Sequence, residues 1–391
     1  MIAEEEAREK VLEKIQVRAS RRVSLSHALN CFAAEDYFSS LPLPNFDNSA
    51  MDGYAVVASA SGVGKRLRVI GEQPAGLDRK LLVSPGEAIR IFTGAPMPAG
   101  ADAVVMQEDV TRESSEIVMN ADVDPGDFVR RRGCDLTEGQ KIVAKGEPIR
   151  ATTIALLASQ GFREVSVGGE VDAAIISTGD ELAEPGTKLQ PGQIYESNSV
   201  MLQALLQRCG AVVKSVGHCK DEADSLRRTL EQATKHSVLI INGGVSVGEH
   251  DLVQSTLLSL GAKIDIWRVA IKPGKPFVFG RIRKCTVFGL PGNPVSAFVT
   301  FLQFVRPAIF KMMGAANFDL PKVPAKLIVD LRNESDRPHY VRGKCENGNF
   351  SPIGRQESHA LFGLSQSNAL LRLAVGEVRT CGDIVDIELF N

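Results

Sequence analysis

Three short stretches set glycine beside groups that can hold charge: STGDEL at 177–182, NGGVSVGEHD at 242–251 and LPGNPVS at 290–296. A loop stripped of Cβ atoms lets backbone N–H groups close on a bound anion, and a helix N-terminus favours phosphate. The carboxylates of Asp180, Glu181 and Asp251 would repel phosphate on their own, but carboxylates and amides fit together around Mg2+. Taken singly, each loop also reads as a plain turn with an acidic helix cap. A fourth stretch, WRVAIKPGKPFVFG at 267–280, supplies Arg268, Lys272 and Lys275, with Pro273 and Pro276 stiffening the backbone. Ammonium groups held close together repel unless an anion lies there, each charged hydrogen bond then adding roughly 1.5–3 kcal/mol. Lysines on a turn are otherwise simply solvated. Earlier in the chain Asp47, Asn48, Ser49 and Asp52 cluster around one turn, Thr93 precedes Gly94, and Arg130, Arg131 and Arg132 stand before Asp135. Each of these alone is a common turn signature.

The elements that must carry these loops follow from periodicity. From 171 the pattern is strand–helix–strand: DAAIIS, a helix from Ser197 or Asn198 to Gly210, AVVKSVG, the helix DEADSLRRTLEQATKH, VLII, the helix DLVQSTLLSLG, KIDIWRVA, FVFG, TVFGL and a long helix from Asn293. Uniformly apolar strands separated by helices imply a parallel sheet covered on both faces. Ligands in such sheets bind beyond the carboxyl ends of the strands, where the strand order reverses, so the three glycine loops, which each follow a strand, should gather there with Thr178, Ser246 and Ser296. Residues 50–145 instead show short β runs (YAVVA, LRVIG, AIRIF, AVVMQ, EIVMN) between Gly/Pro turns. Ala7, Val11, Leu12 and Ile15 form a helical stripe, a short helix starts near Ser24 or Ser26, and ATTIALLASQGF is a helix stopped at Gly161. From 321 the β runs KLIVDL, ALLRLA and DIVDIEL point to a small barrel or sandwich.

Bulk properties narrow the function. A chain of 391 residues implies two to four domains. A net charge of −2 gives no field to draw nucleic acid or membrane, and a single Trp argues against base-stacking platforms. The acidic start is no signal peptide, and no run of about 18 apolar residues is evident, so no membrane span is expected. Seven scattered cysteines without a C-x-x-C pair suit a reducing cytoplasm and buried, inert thiols. Six histidines without H-x-x-x-H spacing make a zinc site unlikely on pattern alone.

The motifs DNSAMDGYA, FTGAPMPAGADAVV, RRRGCDL, STGDEL, NGGVSVGEHD, IKPGKP and GLPGNPVSA occur in the order and spacing of the molybdopterin molybdenumtransferases, the family that includes the C-terminal part of gephyrin. The resemblance runs from about residue 20 to the end, and the strand–helix region is also similar to the molybdopterin adenylyltransferases. It implies a multidomain α/β protein. An elongated, split domain would use 1–45 and 141–170, its first helix packing there or on the α/β domain. A β-rich domain would be inserted at 46–140, a mostly parallel three-layer α/β domain would span 171–320, and a C-terminal β-barrel 321–391. It implies a homodimer with shared active clefts, and transient contact with the adenylyltransferase and with molybdoenzymes. The implied reaction places molybdate on adenylylated molybdopterin, with Mg2+-dependent anhydride cleavage to molybdenum cofactor and AMP. By motif position the family's functional residues fall on Asp52, Thr93, Asp135, Glu181, Asp221 and Asp251, with Glu181 and Asp251 for Mg2+. Arg268, Lys272 and Lys275 would hold molybdate or phosphate, Arg268 standing where lysine also occurs. Asp180, Ser197, Gly243, Gly244, Ser246, Pro291, Gly292, Asn293 and Pro294 complete the substrate contacts. Asp221 also reads as a helix start. The C-terminal region follows the family only loosely, in VRG, SHAL and SNAL, which leaves Arg342, Ser365 and Ser367 without an assigned role. The competing readings are the adenylyltransferase, which the extra domains disfavour, and a non-catalytic scaffold, which the intact acidic and basic motifs disfavour.

Overall fold

The computed structural model describes residues 1–219, 222–244 and 252–390. It comprises two units. One is Asp36–Val143 with Leu156–Phe162; the other is Met1–Glu35, Ala144–Ala155 and Arg163–Asn391.

The first unit is built on β1 (Gly53–Val56), β2 (Arg66–Gln73), β3 (Glu87–Ile91), β4 (Ala103–Met106), β5 (Val110–Glu113) and β6 (Glu116–Met119), in the order β4-β1-β3-β2-β6-β5. All neighbours run antiparallel except β2 and β3. Alternation drives the burial: Ile117 and Met119 face inward along β6, against Tyr54, Leu67, Ala88 and Val105. Gly53 is obligatory, since a Cβ there would fall 1.9 Å from the Val105 carbonyl oxygen.

The second unit holds α1 (Glu4–Lys14) and a seven-stranded sheet. Its strands are β7 (Asp172–Thr178), β8 (Val212–Cys219), β9 (Val238–Asn242), β10 (Lys263–Ala270), β11 (Pro276–Ile282) and β12 (Cys285–Leu290). The two residues Ile2–Ala3 add an edge strand beside β10, and the order continues β10-β11-β12-β9-β7-β8. The sheet is mostly parallel, but not wholly as the apolar pattern predicts: β11 is antiparallel to both neighbours. Only Arg283 and Lys284 separate β11 from β12, too few residues for the crossover a parallel pair needs.

Helices cover both faces. Ala173 and Ile175 of β7 pack with α1, α2 (Asn198–Arg208) and α5 (Pro294–Met312, with a π-turn over Phe301–Val305). Ala174 and Ile176 point the other way, onto α3 (Ala223–Ala233) and α4 (Leu252–Ser259). In α3 the buried residues Leu226, Leu230 and Ala233 recur at helical spacing, and each leucine contributes on the order of 1.5–3 kcal/mol. α5 is long and apolar enough to cross a membrane, with mean hydropathy 1.3, contrary to the expectation that no segment is; 83% of it is buried in the protein, as a core helix should be.

The chain closes with a barrel ordered β13-β15-β14-β16-β17: β13 (Lys322–Leu327), β14 (His339–Glu346), β15 (Asn349–Pro352), β16 (Ala369–Leu373) and β17 (Ile384–Leu389), with α6 (Leu361–Ser365) before β16. β13 begins four residues before the KLIVDL run. Pairing with β17 turns Ala325 and Leu327 inward and leaves Ile328 and Val329 exposed. The sequence led to the expectation of buried thiols, and this holds only in part: Cys31, Cys209, Cys219 and Cys285 are buried, Cys345 is half-buried, and Cys134 and Cys381 are exposed. Burial pushes Cys209 up to about 11 and Cys285 up to about 12, which keeps both protonated and inert.

Candidate functional site

The order of the parallel strands reverses between β7 and β9: the chain goes from β7 out to β8, then returns past β7 to β9. The register sets Ser177, Asn242 and Leu290 side by side, so the loops after them leave the sheet at one place. They line one cavity of about 640 Å³. Gly243 and Gly244 have φ of +85° and +63°, and a Cβ on either would strike Thr178, at 2.5 Å from its carbonyl oxygen or 2.6 Å from Oγ1. Glycine is therefore needed there by backbone and by space. At Gly292 a Cβ would meet nothing nearer than 3.7 Å, so that glycine leaves open room instead. Buried amides brace the floor: Asn198 Nδ2 donates to Asn242 Oδ1 (2.8 Å) and to the Gly292 carbonyl (2.6 Å), and Asn242 Nδ2 to the Pro291 carbonyl (2.8 Å).

Glu181 precedes the two-residue strand Leu182–Ala183 and no helix starts there, so it is not a cap. Its carboxylate folds over Gly179, where a Cβ would fall 2.6 Å from Oε2. The N-terminus of α2 is capped by Glu196, which accepts the Ser199 N–H (2.9 Å) and hydroxyl, leaving Ser197 at the cap position without a capping bond. Among the described residues no three Asp, Glu, His or Cys side chains converge. Mg2+ asks for less, one or two carboxylates with phosphate oxygens and water, so the Glu181 carboxylate fits it, while the glycine amides suit the phosphate.

A second polar feature lies in the barrel. Arg342 on β14 is 1% exposed, yet its Nε and Nη2 have no partner among the described residues. Only Nη1 donates, to the Glu357 carbonyl (3.4 Å). The bare fork faces Gly363 of α6, where a Cβ would sit 3.3 Å from Nε and 3.4 Å from Nη2. Burial lowers the Arg342 pKa. His339, also on β14, has a buried Nε2 without a partner among the described residues, and burial, Lys272 and Arg342 hold its pKa down at about 4. Lys272 is tied to the same strand: its N–H donates to the Pro338 carbonyl and its carbonyl accepts the Tyr340 N–H. Lys272 and Arg342 thus set two positive charges close enough to act on His339, the kind of group that recognises an oxyanion.

Residues 2–161 match the model of the MoeA N-terminal region (domain I and II), 174–311 that of a probable molybdopterin binding domain, and 324–390 that of the MoeA C-terminal region (domain IV). A molybdopterin molybdenumtransferase of Haemophilus influenzae is 37% identical over all of this chain and 99% of its own length. The chain belongs to the molybdopterin molybdenumtransferase family. A Nostoc member is 39% identical over 87% of this chain and 81% of its own. A molybdopterin biosynthesis moeA protein of Pyrococcus horikoshii has this fold throughout, with a TM-score of 0.81 at 32% identity and full coverage of both chains.

Of the residues the family resemblance marks in this unit, Glu181, Ser197, Gly243, Gly244, Pro291, Gly292, Asn293 and Pro294 line the cavity. Asp180, Lys272 and Lys275 do not, and Arg268 lines a separate hollow with Glu6, Lys10 and Trp267. Asp221, Ser246 and Asp251 lie outside the described residues. In the β-rich unit Asp52 and Thr93, 41 residues apart, meet: Asp52 Oδ1 accepts the Thr93 N–H (2.7 Å) and hydroxyl (2.8 Å), and these bonds lower its pKa. Asp47 accepts from the Arg132 N–H (2.7 Å) and Arg131 Nη1 (2.8 Å), which pins the arginine loop; Asp135 is exposed. Sequence reasoning missed Tyr195, Asn198, Asn242, His359 and Leu361 in the cavity wall. The SHAL match to the family was the one signal for the last two.

Proposed function

We infer that this chain inserts molybdate into adenylylated molybdopterin, cleaving the phosphoanhydride to give molybdenum cofactor and AMP. The observation that carries the reading is the glycine-lined cavity at the strand-order reversal, with Glu181 in its wall. The names of the relatives support it. In this reading the amides of Gly243 and Gly244 and the helix behind Asn293 take the phosphates. Arg342 and Lys272 hold molybdate as a substrate. Glu181, with Asp251, would hold Mg2+, which supplies charge neutralisation on the phosphate oxygens. The protein's own task is placement of fixed charge and dipoles where negative charge develops. Asp52, Thr93 and Asp135 serve the same reaction through a homodimer with shared clefts, working in the cytoplasm and passing product to molybdoenzymes.

The test is AMP release from adenylylated molybdopterin with and without molybdate. Release should depend on molybdate and on Mg2+, and Glu181→Gln should slow it by about 100-fold or more. If Glu181→Gln and Asp251→Asn both release AMP at the wild-type rate, the assignment is wrong.

A further inference from the structure

The turn at 356–361 touches both polar features of the α/β–barrel unit. Gln356 is bonded to the backbone of Arg342 in both directions: its Oε1 accepts the Arg342 N–H (3.0 Å) and its Nε2 donates to the Arg342 carbonyl (3.0 Å). The Glu357 carbonyl takes the Arg342 guanidinium. Ser358 is fastened to the other side: its carbonyl accepts the Val295 N–H (3.0 Å) and its Oγ is bonded to Asn293 Nδ2 (2.9 Å). The Leu361 N–H closes the turn on the His359 carbonyl (2.8 Å). His359 is thus delivered to the cavity wall that Glu181, Gly244 and Asn293 also form. It is the one imidazole among the described residues lining that cavity, it is exposed, and no hydrogen bond to its ring occurs among the described residues.

We propose that His359 is a further catalytic residue, the proton donor to the oxygen that leaves when the anhydride is cleaved. The proposal rests on the reaction inferred above. A water oxygen bonds to the AMP phosphorus, and the bond from that phosphorus to the bridging oxygen breaks, its electron pair staying on the bridging oxygen of the pterin phosphate. His359 gives that oxygen a proton; the proton the water loses restores the imidazole by way of solvent. Phosphate oxygens and glycine amides cannot supply a proton there, since the first lack one at neutral pH and the second do not release theirs. The double anchorage of Ser358 explains why an exposed side chain on a turn can act with the positional accuracy that proton transfer needs.

The experiment compares wild type, His359→Ala and His359→Gln in single-turnover AMP release from adenylylated molybdopterin, with AMP affinity and thermal unfolding measured alongside. Both variants should lose about 100-fold in the rate constant while AMP affinity changes less than about threefold. Added imidazole should restore His359→Ala by at least about tenfold and leave His359→Gln unchanged, because only the alanine variant makes room for it. A rate within about threefold of wild type in either variant overturns the proposal, as does failure of imidazole to restore a His359→Ala protein that unfolds at the wild-type temperature. Absence of AMP release from the wild type would instead overturn the reaction itself.

Discussion

The candidate site residues of the two units are held in different ways. In the β-rich unit two candidate acids are bonded within the unit, Asp52 to Thr93 and Asp47 to Arg131 and Arg132, although Asn48 Oδ1 and Gln160 Nε2 there are buried without a partner among the described residues. In the α/β–barrel unit the conspicuous polar groups are left without partners among the described residues: the Arg342 fork, His339 Nε2, and the buried Thr178 Oγ1 at the cavity. A buried polar group without a partner costs on the order of 1–3 kcal/mol, more when charged. Such a group is completed by a ligand or by water. The contrast separates candidate acids fixed by bonds within their unit from a buried arginine and hydroxyl open to a further partner.

Five experiments would break or sharpen this contrast. The largest effect should come from Gly53→Ala, which drives a Cβ into the Val105 carbonyl. We expect a loss of at least about 3 kcal/mol, seen as collapse of the β-rich unit's protease resistance. Gly244→Ala should cost less, about 1–3 kcal/mol for its left-handed backbone and the contact with Thr178, but it should also weaken AMP binding about tenfold by calorimetry.

Arg342→Met should go the other way in stability. Replacing an uncompensated buried cation with an apolar chain of similar size should stabilise by about 1 kcal/mol or more in denaturant melts, while molybdate binding disappears. A variant that is both less stable and still binds molybdate would remove the guest from the account.

His339 supplies a pH test. Its folded value, about 4, lies below the ordinary 6.5. Between these values the unfolded chain binds the additional proton, so stability rises with pH across that window. The contribution is fully present above 6.5 and is lost as pH falls through about 4. Denaturant midpoints should therefore drop as pH falls from 6.5 to about 4, and His339→Gln should flatten the drop. Molybdate bound beside His339 should raise its pKa, so binding should take up protons, measurable as a buffer-dependent binding enthalpy. The smallest structural effect belongs to Asp52→Asn. Asn keeps an acceptor for Thr93 and the site is exposed, so the thermal midpoint should not move, while AMP release should fall if the acid serves the reaction.

Most of the α/β scaffold was legible because its central strands are largely apolar and its helices repeat at 3.6. The meeting of the glycine loops followed from each loop's place after a strand. The reversed strand β11 was not legible, since a strand buried on both faces carries no mark of direction; only the two-residue Arg283–Lys284 connection betrays it. In the barrel, KLIVDL misled because β-branched residues fit any pleated surface, and pairing with β17 selected a different register. The β14–β15 hairpin had a readable turn in Asn347-Gly348, whose φ values are +51° and +74°. The bond between Asp52 and Thr93, and the convergence of Lys272, His339 and Arg342, join residues far apart in the chain, and no spacing rule reaches that distance. The placement of Arg268 in a separate hollow has the same origin.

α1 carries a demand on the order of synthesis. Glu4 is 6% exposed, and its partners, Tyr340 Oη and Arg372 Nε (2.9 Å), lie in the barrel; Tyr340 is 336 residues further along. A ribosome therefore releases the acid long before the residues that neutralise it. Until the barrel emerges, α1 can settle on the sheet only by burying a carboxylate without its partners. Chains cut short before β14 should leave this end unlatched and open to proteases, which gives a cell a simple way to recognise unfinished copies.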